Sequence, residues 1–201
     1  MHDIETEYIR VRQILDQIGG AAFFSREHKK SREWYVLGAV RQLLLHAGRD
    51  FPTLAEESEA PDFRAYHADG CVWAPIEIVE VLPPDYKRHA HYKEVEQGRR
   101  SAYYVVGPPL QSPWEPLRKQ ITEKAHKRYP KGTCLIVYHD IGRLSFSDPS
   151  TPFHERLLAE HAVSPFIGLG SFARVLILSS EMECLVQLHP ITETLVSDKG
   201  H

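Results

Sequence analysis

With 201 residues and 23.0 kDa, the chain has material for one sizeable core or at most two small ones. Hydrophobic residues at 42% and charged residues at 25% exclude an intrinsically disordered chain, a collagen-like repeat and a disulfide-dense miniprotein. A formal charge of −3 gives no reason to expect a basic nucleic-acid coat or a polyacidic tail. The three cysteines, Cys71, Cys134 and Cys184, form no CxxC pair and sit in or beside apolar runs, which predicts buried free thiols in a reducing compartment. The N-terminus lacks a basic-then-apolar leader, and no apolar run approaches the ~18 residues of a membrane span, so a cytoplasmic protein is expected.

Ile4, Tyr8, Val11, Leu15 and Ile18 recur at helical spacing and predict a first helix that Gly19-Gly20 stops. A second helix is expected from Ser31, as N-cap, to His46, with Glu33 in its first turn and Val36, Leu37, Val40, Leu43 and Leu44 inward. The acidic stretch 50–61 reads as loop. Residues 62–66 alternate in the β manner, Asp69-Gly70 signals a hairpin, and a long β-branched strand runs from Cys71 to Leu82. Residues 85–100 are polar and leave helix or mobile loop open. Ala102–Val106 reads as a short strand.

Ser112-Pro113-Trp114-Glu115 combines an N-cap, a first-turn proline and a first-turn carboxylate, and starts a helix running to Tyr129. Thr133–Tyr138 is an apolar run of buried-strand length. A helix over 152–162 and strands over 172–178 and 184–188 close the chain. The expected fold is α/β: a mixed sheet flanked by helices on both faces, with the helix 113–129 crossing between strands 102–106 and 133–138. One domain over 1–201 is expected. Its core spans about 31–140, preceded by the helix 3–18 and followed by an α-β-β extension over 150–190.

The chemistry concentrates at Pro61-Asp62-Phe63 and Pro75-Ile76-Glu77-Ile78-Val79-Glu80-Val81. A carboxylate on a strand of Ile and Val is costly unless paired or bound to a cation. Asp62 and Glu77 lie on hairpin partners and can converge on one point, where hard divalent ions take oxygen ligands and keep several waters. Glu33 opens the apolar face of the second helix one turn from Leu37 and can point there too. Period-two alternation puts Glu77 on the face of Trp73, Val79 and Val81, and Glu80 on the face of Ile76 and Ile78, with Glu80 as the reserve ligand. The plainer reading is that these carboxylates pair with a buried arginine or cap backbone.

This pattern resembles the PD-(D/E)XK nuclease superfamily over about residues 31–140. The resemblance implies a restriction-endonuclease-like α-β-β-β-α-β core and Mg²⁺- or Mn²⁺-dependent hydrolysis of DNA or RNA phosphodiesters. Asp62 and Glu77 would be metal ligands and the Ile78 carbonyl a third. The family carries a lysine two residues after the second acid, and this chain has Val79 there. Lys87, just past the strand, and Lys124, on the 113–129 helix, are the candidate replacements. The alternative is a catalytically inactive nuclease-fold protein that binds nucleic acid or protein. Enzymes of this fold often pair, so a homodimer is open; no membrane partner is expected.

Residues 84–131 hold 11 Lys/Arg against 5 Asp/Glu, a local basic face suited to phosphate contacts. Lys93, Arg99, Arg100, Lys127 and Arg128 are its candidate contacts, and Tyr86, Tyr92, Tyr103 and Tyr104 lie nearby for base stacking. A solvated helix face with core tyrosines explains the same residues. A second hypothesis is a transition-metal site on His89-Ala90-His91, spaced for one face of a strand, with His126 and His139 as further ligands. No HExxH or CxxC spacing supports it. Gly168-Leu169-Gly170 precedes a strand rather than a helix and reads as a turn.

Overall fold

The computed structural model describes residues 1–82, 88–99, 114–139, 169–179, 184–189 and 195–196. Asp3 closes a two-residue strand, β1 (His2–Asp3), and caps helix α1 (Ile4–Phe23), its Oδ1 accepting from the Thr6 amide at 2.8 Å. The double glycine does not end this helix. Gly19 takes a left-handed conformation (φ 76°, ψ 166°) that kinks the chain, and helix resumes to Phe23. After a 3₁₀ turn (Arg26–His28), helix α2 (Lys29–His46) starts two residues earlier than Ser31, which therefore lies inside it. The two helices pack closely where Gly38 faces Tyr8. A Cβ at Gly38 would come within 2.5 Å of the Tyr8 side chain.

Strands β2 (Leu54–Glu57), β3 (Phe63–Tyr66), β4 (Val72–Val81), β5 (Thr133–His139), β6 (Phe172–Ser179), β7 (Cys184–His189) and β8 (Leu195–Val196) join β1 in one sheet, in the spatial order of the chain. β4–β5 and β5–β6 are parallel, and the other pairs are antiparallel. A parallel pair requires a crossover. The one between β4 and β5 contains α3 (Arg88–Glu96) and α4 (Trp114–Ala125). The parallel neighbour of β5 is thus β4, and the expected strand 102–106 lies outside the described residues, as does the helix 152–162. β2 corrects the expected loop: Ala55 is buried and packs inward, while Glu56 and Glu57 give the segment its loop-like composition.

Helices cover both faces of the mixed sheet. On one face α1 and α2 pack through Ile4, Phe23, Trp34, Leu37 and Val40 against Phe63, Ile76, Ile136 and Leu176. On the other, Leu117 and Ile121 of α4 pack on Val79, Val81, Leu135, Val137 and Ile177. All seven residues of β5 are buried, as expected of a central parallel strand. α3 docks on α1, with Tyr92 stacked on Phe24 at 4.9 Å and Glu96 accepting from the Ala21 amide at 2.9 Å. No helix among the described residues is long and apolar enough to cross a membrane.

One expected face is corrected. Tyr66 pairs with Val72 and Ala65 with Ala74, so Trp73 is an extra residue in the ladder. This bulge reverses the alternation, and Trp73 packs on Phe51 on the α1/α2 side rather than on the side of Val79 and Val81.

Candidate active site

Beyond Phe63, strand β3 ends while β4 runs on for five residues. Phe63 pairs with Ile76, so Asp62 stands beside Glu77 where the two strands part. The next β4 amide on that side has lost its strand partner, and Asp62 supplies one: its Oδ2 accepts from the Ile78 amide at 2.9 Å. The N–H and C=O of one strand residue point to the same side, so the Ile78 carbonyl also faces the gap left by β3.

From Ile76 onward the alternation holds. Glu77 points to the α4 side, and its Oε1 accepts from Lys124 Nζ, on the last turn of α4, and from the Tyr129 hydroxyl at 3.0 Å. Tyr129 is itself set by ring contact with Phe172 of β6, centroids 5.3 Å apart. Of the two candidate lysines, Lys124 reaches Glu77, whereas Lys87 lies outside the described residues. Glu80 is exposed and turned to the α2 side, where it lines a cavity of about 70 Å³ with Lys29, Arg32, Glu33 and Tyr138.

Glu33 reaches Asp62 through cations. Lys29 Nζ lies 2.8 Å from Glu33 Oε1 and 3.8 Å from Asp62 Oδ1; Lys30 Nζ lies 2.9 Å from Glu33 Oε2 and 3.9 Å from the same Asp62 oxygen. Glu33, Asp62 and Glu77 are all buried, at 5%, 6% and 6% exposure, which makes these charges matter: each would be expensive without its cation. Burial pushes the Asp62 carboxyl up to about 6; the Ile78 amide works against this, and the neighbouring Glu33 and Glu77 charges add to it. Burial and the Glu77 charge likewise raise the Tyr129 phenol, so it stays protonated as the donor to Glu77. Contact with Glu33 raises the Lys29 ammonium against an opposing effect of burial.

Two carboxylates and a backbone carbonyl suit a hard cation that keeps several waters. Asp62 Oδ1, turned away from the Ile78 amide, faces cations already, and this donor chemistry fits Mg²⁺ or Mn²⁺. No group of three or more His, Cys, Asp and Glu side chains placed to hold a metal ion is found among the described residues. The histidine alternative loses its geometry. The expected strand at His89-Ala90-His91 is helix α3 instead; His126 is exposed and His139 buried at the end of β5. Cys134 is buried, its thiol pushed up to about 12 by burial, but Cys71 is exposed, against expectation.

Of the basic candidates, Lys93 and Arg99 are exposed on and just after α3, Lys127 and Arg128 are exposed beyond the end of α4, and Arg100 lies outside the described residues. Lys29, Lys30 and Tyr129 were missed. The two lysines stand four and three residues before Glu33, a helical spacing that becomes visible only once α2 starts at Lys29. Tyr129 follows α4 in an irregular segment, where no periodicity announces it. No family model matches the chain, and no curated protein or solved structure matches it.

Proposed function

We propose that the protein is a divalent-metal-dependent phosphodiesterase acting on nucleic acid, built on a restriction-endonuclease-like core. The carrying observation is the convergence of Asp62 and Glu77 at the point where β3 and β4 part, with the Lys124 ammonium on Glu77. The element order α2-β2-β3-β4-α3-α4-β5 supports the α-β-β-β-α-β reading if α3, which docks on α1, is taken as an insertion before α4. Lys124, arriving from α4, takes the role that Val79 cannot.

Asp62, Glu77 and the Ile78 carbonyl would hold the cation. When bound, it would lower the pKa of a coordinated water and neutralise charge on the phosphate. Lys124 orients the attacking water and balances charge beside Glu77, and Tyr129 fixes the Glu77 rotamer by its hydroxyl. The Ile78 amide fixes Asp62 so that Oδ1 alone remains to turn toward the ion.

The test is cleavage of labelled single- and double-stranded DNA and RNA in Mg²⁺, Mn²⁺ or EDTA. Cutting that requires the ion, and that drops about a thousandfold in Asp62→Ala and Glu77→Ala, is expected. Lys124→Met is expected to lower the rate while leaving ion binding in place. Absence of cutting by the unmodified protein on every substrate would leave the binding module, the reading that Val79 favours.

A further inference from the structure

Lys29 and Lys30 are consecutive residues, yet both ammonium groups reach the same two acids. Each bridges one Glu33 oxygen, at 2.8 and 2.9 Å, to the single oxygen Oδ1 of Asp62, at 3.8 and 3.9 Å. That is the Asp62 oxygen left over by the Ile78 amide. Both Glu33 oxygens are buried, and each has one of these ammonium groups as its cation. The lysines are the opposite in character: their side chains are 66% and 44% exposed, on flexible four-carbon stems.

The charge count of the cluster gives this arrangement a consequence. Glu33, Asp62 and Glu77 are matched one for one by Lys29, Lys30 and Lys124. A divalent ion added between Asp62 and Glu77 leaves a surplus of two positive charges. The most exposed ammonium groups of the three are those of Lys29 and Lys30, and Lys124 is the most buried. They stand at the first turn of α2, where the helix dipole also favours an anion. A nucleic-acid strand supplies that anion at every nucleotide.

Resting on the reading of this site as a metal-dependent nuclease, we infer that Lys29 and Lys30 are its phosphate-binding residues, kept on Glu33 and Asp62 in the cation's place and transferred to a substrate phosphate when the divalent ion enters. Ion and nucleic acid then assist each other's binding, because the ion frees the lysines and the phosphate keeps them away from the carboxylates. Lys124 has a separate duty, since it faces Glu77 from the α4 side.

The test measures two affinities on the full chain: Ca²⁺ alone by calorimetry, and a labelled single-stranded oligonucleotide in EDTA and in Ca²⁺. Removing the lysines with Lys29→Gln/Lys30→Gln takes away the competitor for the ion and the contact for the phosphate. Ca²⁺ is expected to bind about tenfold tighter, from the charge released on two buried acids. The oligonucleotide in Ca²⁺ is expected to bind about tenfold weaker, with the slope of log affinity against log salt reduced by about 1.4. Lys30→Gln alone should move both affinities in the same opposite senses by smaller factors, and carries the test should the double variant not fold. Ca²⁺ affinity that is unchanged or weaker, or oligonucleotide binding that is unaffected, overturns the inference while leaving the metal site intact. Wild-type protein that binds no Ca²⁺ overturns the metal reading as well.

Discussion

The two faces of the sheet differ in how they are sealed, and the difference explains where the polar groups sit. On the α1/α2 face, large side chains interlock: Trp34 meets Phe63 edge-on at 4.7 Å, and Phe23, Leu37 and Ile76 are fully buried around them. On the α4 face the described cover is thinner and aliphatic, with Leu117 and Ile121 as the two fully buried residues of the helix. Glu77 points to this second face, and Lys124 and Tyr129 reach it at the margin of the smaller cluster. A strand of one composition therefore serves two purposes: Ile76 and Ile78 hold α2, and Glu77 meets Lys124 and Tyr129. The interlocked face fixes the strand that carries the acids, and among the described residues Glu77 meets its partners at the margin of the other.

The contrast can be broken by mutation. The largest stability loss should come from the sealed side: Phe63→Ala removes a fully buried ring next to Asp62, and about 3–5 kcal/mol is expected in urea unfolding. Ile121→Ala on the α4 side should cost less, about 2 kcal/mol, by the same measurement. Equal losses would mean that the two faces are sealed alike.

The acid between the faces sharpens the comparison through pH. The Asp62 carboxyl sits near 6 in the folded protein, above its ordinary value of 3.8. Both states are protonated below about pH 4. Between about 4 and 6 the unfolded chain releases this proton while the folded one keeps it, so stability is lost as pH rises through that window. Asp62→Asn, whose amide oxygen still accepts from Ile78, should therefore melt higher than wild type at pH 8, with the advantage gone near pH 4. Ion binding should run the other way in wild type, strengthening as pH rises through about 6, and be absent in Asp62→Asn. A melting difference that does not change with pH would place the source of the effect elsewhere than the Asp62 charge.

The smallest effect lies far from either core. Asp3→Ala deletes the cap that accepts from Thr6 and should cost about 1 kcal/mol in thermal unfolding, with ion binding unchanged.

Much of the architecture was readable from spacing. The Ile76–Val81 alternation put Glu77 and Glu80 on opposite faces, and the continuous run in β5 marked a central strand. Both are local patterns that the backbone imposes, with period two in a strand and burial on both sides of a parallel sheet. The same logic misplaced Trp73, because a bulge inserts a residue that composition does not reveal. β2 was read as loop because two of its four residues are glutamates, and its pairing with β3 outweighs that composition.

At the site, the carboxylates are legible in local pattern: acids on an apolar strand and at its neighbour's start are costly without a cation or a hydrogen-bond donor. Of the two lysines that the resemblance offered, Lys87 and Lys124, spacing chooses neither. Which groups answer the acids depends on the assembled sheet. Lys124 and Tyr129 stand 47 and 52 residues from Glu77, and Lys29 and Lys30 about thirty from Asp62; each pairing exists because the sheet brings separate elements to one point. Local periodicity encodes which way a side chain faces. What it meets depends on strand order, on the end of β3 and on the docking of two helices against opposite faces, and these are set by burial over the whole chain.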